Sequence, residues 1–459
     1  MSKATSFRTH GPAMKSQRQL RSDVARIWTA ALRAADPAAA VRKFVKRDRN
    51  ELVIGRRRFD LDNADRVWVL GAGKAAAPMA QALEKILGDR LTGGVLVTRY
   101  GHGLPLRKLE LIEAGHPYPD ENSAAAAARI VHMARNVISP GDLVFWLLSG
   151  GGSALIVAPA PGIPWEDKLA CTRILLNCGA TIREINAIRK HLSIVKGGGL
   201  ARLLAPVPVI SLVLSDVVGD ALDSIASGPL APDTTTFGEC AEILRRLRIE
   251  DQVPSTVKHR IEMGASGKIP ENPKPGDPIF RKKLSVIVGS NSQACDAAAR
   301  AARHLGYRTM VITSRLEGDT SEAARFHMSI LQEIIAEGRP LRRPACLISG
   351  GETTVRVVGN GRGGRNQEFT LQCVRNLARL PAPALVAALA TDGTDGPTDA
   401  AGALADNTTL ARSLRLGASF LSDCLAENNS YEFFTRLGDQ IMTGPTRTNV
   451  MDLKFLLAG

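Results

Sequence analysis

The chain of 459 residues is too long for one ordinary globular domain, and its 44% hydrophobic and 23% charged residues are typical of a soluble globular protein. No apolar run approaches the roughly 20 residues that would cross a bilayer, which excludes a membrane-spanning segment and a membrane partner. The formal net charge of +14 accompanies only 4% aromatic residues and no nucleic-acid-binding motif, so an anionic small-molecule substrate and cofactor are favoured over nucleic acid. The seven cysteines lack CxxC or Cys/His spacing and indicate a cytoplasmic protein without a zinc site.

The predicted elements begin after a basic N-terminal segment. Residues 1–21 carry lysine and arginine but no acidic residue, and they predict a disordered tail, with a targeting segment as the alternative. Alternating strands and helices follow over residues 22–263 and again over residues 279–459. Between them, the Gly- and Pro-rich residues 264–278 predict a linker. We therefore expect an α/β protein with two Rossmann-like α/β domains and mainly parallel sheets.

The first glycine-rich turn follows a strand predicted over residues 66–70. It reads GAGKAA from Gly71, includes Gly73, and matches the relaxed dinucleotide pattern G-x-G-x-x-[G/A]. Arg99 lies where that pattern needs an acidic residue, about 20 positions further on, which leaves NADP open. Lys74 lies at the start of the next helix, where its charge and the helix dipole together favour an anion. A surface lysine on a first helical turn is the alternative.

Two apolar strands open into Ser-Gly-Gly sequences. Residues 143–148 are all apolar and predict a strand buried on both faces, and residues 345–348 repeat the pattern. Glycines free the backbone to turn its N–H groups outward, and flanking hydroxyl groups complete an anion-binding loop. The candidate binding residues are Ser149, Gly150, Gly151, Gly152 and Ser153 in the first loop, and Ser349, Gly350, Gly351, Glu352 and Thr353 in the second. Together they predict a phosphorylated ligand, with tight turns that bind nothing as the alternative.

Two groups of aspartates also follow predicted strands. Loops at the carboxyl ends of strands are where Mg²⁺ is held against phosphates. The metal-ligand candidates are Asp216 and Asp220 in the first group, with Asp223 nearby, and Asp392 and Asp395 in the second, with Asp399 nearby. Capping and turn formation are the alternative for either group.

Further polar candidates lie in three glycine-rich segments. Arg365 and Asn366 follow two glycines, Gly363 and Gly364, and open a predicted helix. A guanidinium group at such a turn can clamp a transferring phosphoryl group. Lys196 precedes three glycines. Thr446 and Asn449 lie in a small polar turn near the C-terminus, for which a plain loop is the alternative.

The motifs resemble those of one family. They read GAGKAAAPMA (71–80), LLSGGGSAL (147–155), KGGGLA (196–201), LVLSDVVGDALDSIASGP (212–229), SGGETTV (349–355), GRGGRNQE (361–368) and ATDGTDGPTDAAGA (390–403). In this order they resemble the class II glycerate kinases, which are glycerate 2-kinases with a C-terminal MOFRL domain. The resemblance extends from about residue 22 to residue 459, with the MOFRL region at about 345–455.

The resemblance implies an activity and a site. The expected reaction is ATP-dependent phosphorylation of D-glycerate to 2-phosphoglycerate with release of ADP, with Mg²⁺, in an inter-domain active-site cleft. The family's transfer-site lysine and arginine correspond to Lys74 and Arg365. Three departures affect substrate preference: Ala221 replaces an acidic residue, Arg447 replaces glycine and Met451 replaces asparagine.

An NAD(P)H-dependent hydroxypyruvate reductase is the alternative function, because members of this family have also been given that name. A reductase needs one dinucleotide site and a proton donor. It has no evident use for two Ser-Gly-Gly segments, a glycine-flanked arginine and two acidic groups, so the kinase is favoured. The sequence leaves open which loop binds ATP, which acidic group binds Mg²⁺, and the oligomeric state, a homodimer included.

Overall fold

A computed structural model describes residues 14–459. The first helix, α1 (Gln17–Ala34), begins with a capping box in which Ser16 and Gln19 each bind the other's backbone N–H group. The predicted disordered tail therefore extends too far, because residues 17–21 are helical; residues 1–13 lie outside the described part of the chain. Between residues 14 and 459, no helix is both long and apolar enough to cross a membrane.

The chain forms two compact units. The central unit is Pro37–Gly289, and the terminal unit combines Ser290–Gly459 with the N-terminal residues up to Asp36. Helix α1 belongs to the terminal unit because Arg21 pairs there with two aspartates of the C-terminal half. This division differs from the predicted one. Residues 264–278 carry no regular strand, but they lead into the last strand of the central sheet and so lie inside the central unit.

The central unit is built on a six-stranded sheet. Its elements are α2 (Pro37–Phe44), β1 (Val45–Asp48), β2 (Glu51–Ile54), β3 (Arg57–Asp60), β4 (Val67–Ala72), α3 (Ala76–Leu87), β5 (Leu91–Arg99), β6 (Leu109–Ala114), α4 (Glu121–His132), β7 (Leu143–Leu148), α5 (Gly152–Leu155), α6 (Trp165–Asn177), α7 (Ile182–His191), α8 (Gly199–Leu203), β8 (Val209–Leu214), α9 (Phe237–Arg246), α10 (Ser255–Ala265) and β9 (Lys283–Gly289). Strands β1, β2 and β3 form a separate antiparallel sheet.

The order of the main sheet is β6-β5-β4-β7-β8-β9, and all neighbouring strands are parallel. The prediction of buried parallel strands is confirmed here: β7 is buried along its whole length, and its Phe145 and Trp146 are 0% exposed. The chain proceeds outward from β4 in one direction and from β7 in the other, as in doubly wound dinucleotide-binding folds. Ligands bind in such sheets at the carboxyl ends of the two strands where this reversal occurs. The crevice between β4 and β7 is therefore the expected binding position.

The terminal unit contains a second six-stranded sheet. Beyond α1, its elements are α11 (Asn291–His304), β10 (Arg308–Leu316), α12 (Thr320–Glu337), β11 (Ala345–Gly351), α13 (Arg365–Leu377), β12 (Ala384–Ala390), β13 (Gly402–Asp406), α14 (Thr409–Leu414), α15 (Phe420–Ala426), α16 (Ser430–Leu437), β14 (Gln440–Ile441) and β15 (Asp452–Ala458).

This second sheet is mixed, so the prediction of mainly parallel sheets is wrong for the terminal unit. Its order is β10-β11-β15-β12-β13-β14; β10 and β11 are parallel, and the other neighbours are antiparallel. The C-terminal strand β15 inserts between β11 and β12 and runs against both. Strand β13 returns along β12 after residues 391–401, which contain no crossover helix.

Candidate functional site

Two glycine-rich loops of the central unit meet at the crevice between β4 and β7. The N–H group of Lys74 donates to the carbonyl oxygen of Gly150 at 2.8 Å, and that of Ser149 donates to Ala72 at 3.1 Å. The Ser149 hydroxyl accepts from the N–H group of Ala75 at 2.9 Å. The turn that follows β4 and the turn that follows β7 are thus bonded into one surface.

Glycine is required where these loops approach each other. Gly73 has a φ of 137°, and a Cβ atom there would lie 2.1 Å from Oγ of Ser149. A Cβ atom on Gly71 would lie 2.6 Å from the carbonyl oxygen of Leu147. Both distances are far below van der Waals contact, so a larger residue at either position would separate the loops.

Lys74 lies in the crevice just before α3, which begins at Ala76. It is 9% exposed, and its carbonyl oxygen is 3.2 Å from Nδ1 of His102. A Cβ atom on Gly151 would lie 3.3 Å from Cγ of Lys74 and 2.9 Å from the ring of His116, so these two side chains flank Gly151. An ammonium group beside a glycine loop and a helix N-terminus favours an anionic ligand.

A third loop brings Lys196 to the same edge of the sheet. Lys196 is 3% exposed, and its Nζ donates to the carbonyl oxygen and to Oγ of Ser153, both at 3.0 Å. Oγ of Ser153 is 3.1 Å from Oγ of Ser227, which donates to Oδ1 of Asn186 at 3.3 Å. Burial, reinforced by two neighbouring cations, holds the pKa of Lys196 well below its usual range.

The segment after β8 holds strained backbone at this edge. Asp220, Ala226 and Ser227 have φ values of 59°, 50° and 60°. Each such residue costs on the order of 1–3 kcal/mol and persists only when its surroundings impose it. Here the carbonyl oxygen of Ser227 accepts from the N–H group of Gly197 at 2.9 Å. Strain held in place beside buried hydroxyl and amine groups supports a functional role for this segment.

The first aspartate group only partly reaches the site. Asp216 and Asp223 line a pocket of about 470 Å³ together with Gly151, Ser153 and Ser227, whereas Asp220 does not. Among the residues that the structure describes, no three His, Cys, Asp or Glu side chains gather closely enough to hold a metal ion. Mg²⁺ commonly binds through one or two carboxylates, with phosphates and water completing its shell. Asp216 beside the first glycine loop fits that arrangement.

The second Ser-Gly-Gly sequence is not a loop, and that prediction is wrong. Ser349, Gly350 and Gly351 are the last residues of β11; all three pair with β15, and Ser349 and Gly351 also pair with β10. The Ser349 hydroxyl is 0% exposed and lies 2.7 Å from Nε2 of His327. Thr353 is also buried, at 1% exposure. These glycines allow close packing in the sheet, so the segment looks like the first loop in sequence only.

Replacing Gly350 by alanine tests this packing role. The new Cβ atom would lie 1.7 Å from Oδ1 of Asn291, which is 2% exposed and donates to Val450 and Asp452 at 2.8 and 2.9 Å. We expect a loss of about 1–3 kcal/mol in the free energy of unfolding, measured by denaturant titration. Gly238→Ala is the matched control, because Gly238 is exposed on α9 and its new Cβ atom would lie 3.7 Å from Oγ1 of Thr236, an ordinary van der Waals contact. A fully stable Gly350→Ala protein with weakened ATP binding would restore the ligand-binding interpretation.

Arg365 opens α13 and is held by two acidic residues. Its Nε and Nη2 donate to the carboxylate of Asp452 at 2.6 and 3.0 Å, and Nη1 donates to Glu352 at 2.6 Å. Asp452 also accepts from Lys454 at 3.2 Å, and the Asp452 and Lys454 side chains are 0% exposed. Burial disfavours the charge of Arg365, but the two carboxylates outweigh it and raise its pKa. Burial likewise opposes the charge on Asp452, yet Lys454 and Arg365 hold its pKa below the usual range.

The second aspartate group shapes the terminal unit. The carboxylate oxygens of Asp395 accept from the backbone and side-chain amides of Asn366 and Gln367 at 2.9–3.2 Å. Asp395 is 1% exposed, and burial, with a neighbouring aspartate, raises its pKa to about 6. It therefore caps α13 and does not fit a metal ligand. Asp392 accepts from the N–H and hydroxyl groups of Thr394 in a local turn.

The last loop of the terminal unit holds the remaining candidates. Thr446 donates to the carbonyl oxygen of Thr391 at 2.5 Å, and Oδ1 of Asn449 accepts from the N–H group of Met451 at 3.3 Å. Arg447 and Met451 have φ values of 59° and 66°. The glycine and asparagine expected from the family resemblance suit such backbone better. The two substitutions, Arg447 and Met451, therefore act on the backbone conformation of this loop.

Three residues beside the central loops were missed as site residues in the sequence. His116 lies beside Gly151, and nothing in its local sequence pattern indicates that position. Asn186 and Arg189, which line the 470 Å³ pocket, are three positions apart on α7, so the helical period alone places them on one face. That spacing is the signal that could have identified them.

Comparisons with known proteins agree on one family. A domain of unknown function, DUF4147, matches residues 23–262, and the MOFRL family matches residues 345–452. The chain is 44% identical to a glycerate 2-kinase of Pyrococcus horikoshii, over 92% of this chain and 93% of that protein. It is 42% identical to a D-glycerate 2-kinase of Thermotoga maritima, over 85% of this chain and 90% of the relative.

A relative with a different name and a solved structure complete the comparison. An Agrobacterium vitis protein provisionally named hydroxypyruvate reductase is 40% identical, over 86% of this chain and 100% of the relative. The crystal structure of a Thermotoga maritima glycerate kinase superposes with a TM-score of 0.84 at 38% identity, covering 96% of this chain and 100% of that one.

Proposed function

Since this chain belongs to the glycerate 2-kinase family, we propose that it transfers the terminal phosphoryl group of ATP to the 2-hydroxyl group of D-glycerate and releases ADP. The observation that carries the proposal is the bonded surface of the GAGK and SGGGS loops between β4 and β7. A buried lysine, a helix N-terminus and a glycine loop converge there, and all three favour phosphate oxygens.

In the transfer, the 2-hydroxyl oxygen forms a bond to the γ-phosphorus while the bond from that phosphorus to the oxygen of ADP breaks. The hydroxyl proton leaves to a base or to water. Negative charge is spread over the equatorial phosphoryl oxygens, so a fixed cation beside them lowers the barrier. We assign this role to Lys74, with the backbone of residues 149–153 holding the phosphates.

Arg365, at the start of α13, is the second proposed cation. Three of its five N–H groups are engaged by Asp452 and Glu352, so at most two are available to a phosphoryl oxygen. The carboxylates hold the guanidinium plane in one orientation, and such preorganisation is what makes a charge effective in a transition state.

Magnesium is the expected partner of ATP in this reaction. Asp216 is the residue we propose as its protein ligand, because it lines the same pocket as Gly151 and Ser153. When bound, the ion neutralises charge on the β- and γ-phosphate oxygens. Asp395 is excluded from this role by its four amide donors.

One experiment tests the function. Purified protein is incubated with ATP, Mg²⁺ and D-glycerate, ADP release is followed with a coupled assay, and the phosphoglycerate isomer is identified by ³¹P NMR. We expect 2-phosphoglycerate, and no ADP when D-glycerate is omitted or EDTA is added.

The alternative is an NAD(P)H-dependent hydroxypyruvate reductase, favoured by the dinucleotide-type strand order of the central sheet. The same preparation is therefore assayed for NADH and NADPH oxidation with hydroxypyruvate. Efficient oxidation without any glycerate-dependent ADP release would establish the reductase and overturn the kinase.

A further inference from the structure

A second, more enclosed pocket of the central unit is lined by basic side chains. It has a volume of about 300 Å³ and lies between α6, α7 and the SGGGS loop. Its walls include apolar side chains and four cations, and no aspartate or glutamate lines it. The cations are Lys168, Arg173, Arg189 and Lys196.

Two of these residues, Lys168 and Lys196, are buried, and the half-buried Arg189 lies near both. Lys168 and Lys196 are 5% and 3% exposed, and Nζ of Lys168 donates to the carbonyl oxygen of Leu192 at 3.1 Å. Burial, followed by the charge of Arg189, lowers the pKa of Lys168 to about 7. Within residues 14–459, none of the three forms an ion pair with a carboxylate. Burial and the neighbouring basic groups disfavour the charged forms of the two lysines, and a bound anion would favour those charged forms again.

Arg189 is the group best placed to receive that anion. Its guanidinium group has no hydrogen-bond or ion-pair partner among the described residues, although burial lowers its pKa. It lines both this pocket and the 470 Å³ pocket that holds Asp216. A planar guanidinium fork matches the two oxygens of a carboxylate.

The position relative to the glycine loops decides which anion is bound. The enclosed pocket opens on Ser153, whose Oγ is 3.0 Å from Nζ of Lys196. Arg189 and Ser153 both line this pocket, so an acid whose carboxylate binds Arg189 shares the pocket with one end of the SGGGS loop. The small volume and apolar walls suit such an acid better than a triphosphate chain.

We propose that Arg189, supported by Lys168, binds the carboxylate group of D-glycerate and makes the enzyme selective for small 2-hydroxy acids. This inference rests on the proposed kinase function. It places D-glycerate on the side of the SGGGS loop that faces α6 and α7. The nucleotide phosphates then occupy the GAGK side of the loop.

The test compares the wild-type enzyme with Arg189→Gln and Arg189→Lys. Loss of a charge-assisted carboxylate contact corresponds to a rise on the order of 10²-fold in KM for D-glycerate, with the KM for ATP unchanged. Arg189→Lys should recover part of the loss, because it keeps the charge without the fork. Arg245→Gln, an exposed arginine on α9, is the matched control. The preference for D-glycerate over its neutral amide should collapse in Arg189→Gln only.

Lys168→Met supplies a readout that does not depend on turnover. Removing the buried amine, which has no carboxylate partner, should raise the Tm of the free protein, whereas D-glycerate should then raise Tm less than it does in the wild type. A lowered Tm of the free protein with unchanged stabilisation by D-glycerate would overturn the inference.

Other outcomes also overturn it. If Arg189→Gln raises the KM for ATP and leaves that for D-glycerate unchanged, the cations bind nucleotide phosphates. Unchanged values for both substrates would likewise contradict it. If the wild-type protein makes no ADP, the kinase function fails by itself. Calorimetric titration with D-glycerate alone then judges the site: loss of binding in Arg189→Gln supports it, and equal binding contradicts it.

Discussion

Replacing Lys74 by alanine is expected to lower kcat by on the order of 10³-fold, with a small effect on stability. Lys74 lies in the turn between β4 and α3, and its side chain passes Gly151, with Cγ beside that glycine. There it stabilises charge that grows on the phosphoryl oxygens in the transition state, so its loss acts on kcat more than on KM. Steady-state kinetics of ADP release measure the effect, and circular dichroism checks the fold.

Arg99→Ala is the control for Lys74→Ala. Arg99 ends β5, at the position where a dinucleotide-binding protein carries its ribose-binding acid. In a kinase that reads no 2′-phosphate, its removal should be mild. If Lys74→Ala keeps near-native turnover while Arg99→Ala abolishes activity, the GAGK loop binds a dinucleotide and the assignment of Lys74 fails.

Arg365→Ala is expected to lower both turnover and stability. Turnover should fall on the order of 10³-fold if the guanidinium contacts the phosphoryl group. The free energy of unfolding should fall by about 3 kcal/mol, because the fully buried Asp452 loses one of its two cations. Since the pKa of Asp452 is held below its usual range, this contribution is present at neutral pH and is lost only as the pH falls through that lowered pKa.

The two effects of Arg365→Ala are separable. Kinetics are measured at a temperature where the variant remains folded, and stability is followed by thermal unfolding. Arg365→Lys should recover part of each effect, and Arg375→Ala, on an exposed position of the same helix, serves as the control. A variant that loses stability but keeps kcat would show that Arg365 only neutralises Asp452, and the catalytic proposal would then fail.

The resemblance between the two Ser-Gly-Gly segments shows where sequence reasoning stops. Both follow apolar strands, yet the first is a turn at the crevice and the second is part of β11. The difference arises because β15, about 100 residues further along the chain, pairs with the second segment from Ala345 to Gly351. Nothing within the segment itself encodes that partner.

Local sequence patterns were sufficient to predict the structure wherever a segment's conformation depends on its neighbours in the chain. The apolar run of β7, the glycines of the GAGK and SGGGS turns and the lysine before α3 specify their own conformations, and together they predicted the parallel sheet of the central unit. Long-range pairing decided the rest. The second sheet is mixed because β15 inserts between β11 and β12. The same strand carries Asp452, which pairs with both Arg365 and Lys454 and so holds Arg365 in place. The enclosed pocket of about 300 Å³ lies between α6, α7 and the SGGGS loop. Its basic residues come from separate segments of the chain, so no local sequence pattern predicts that they line one pocket.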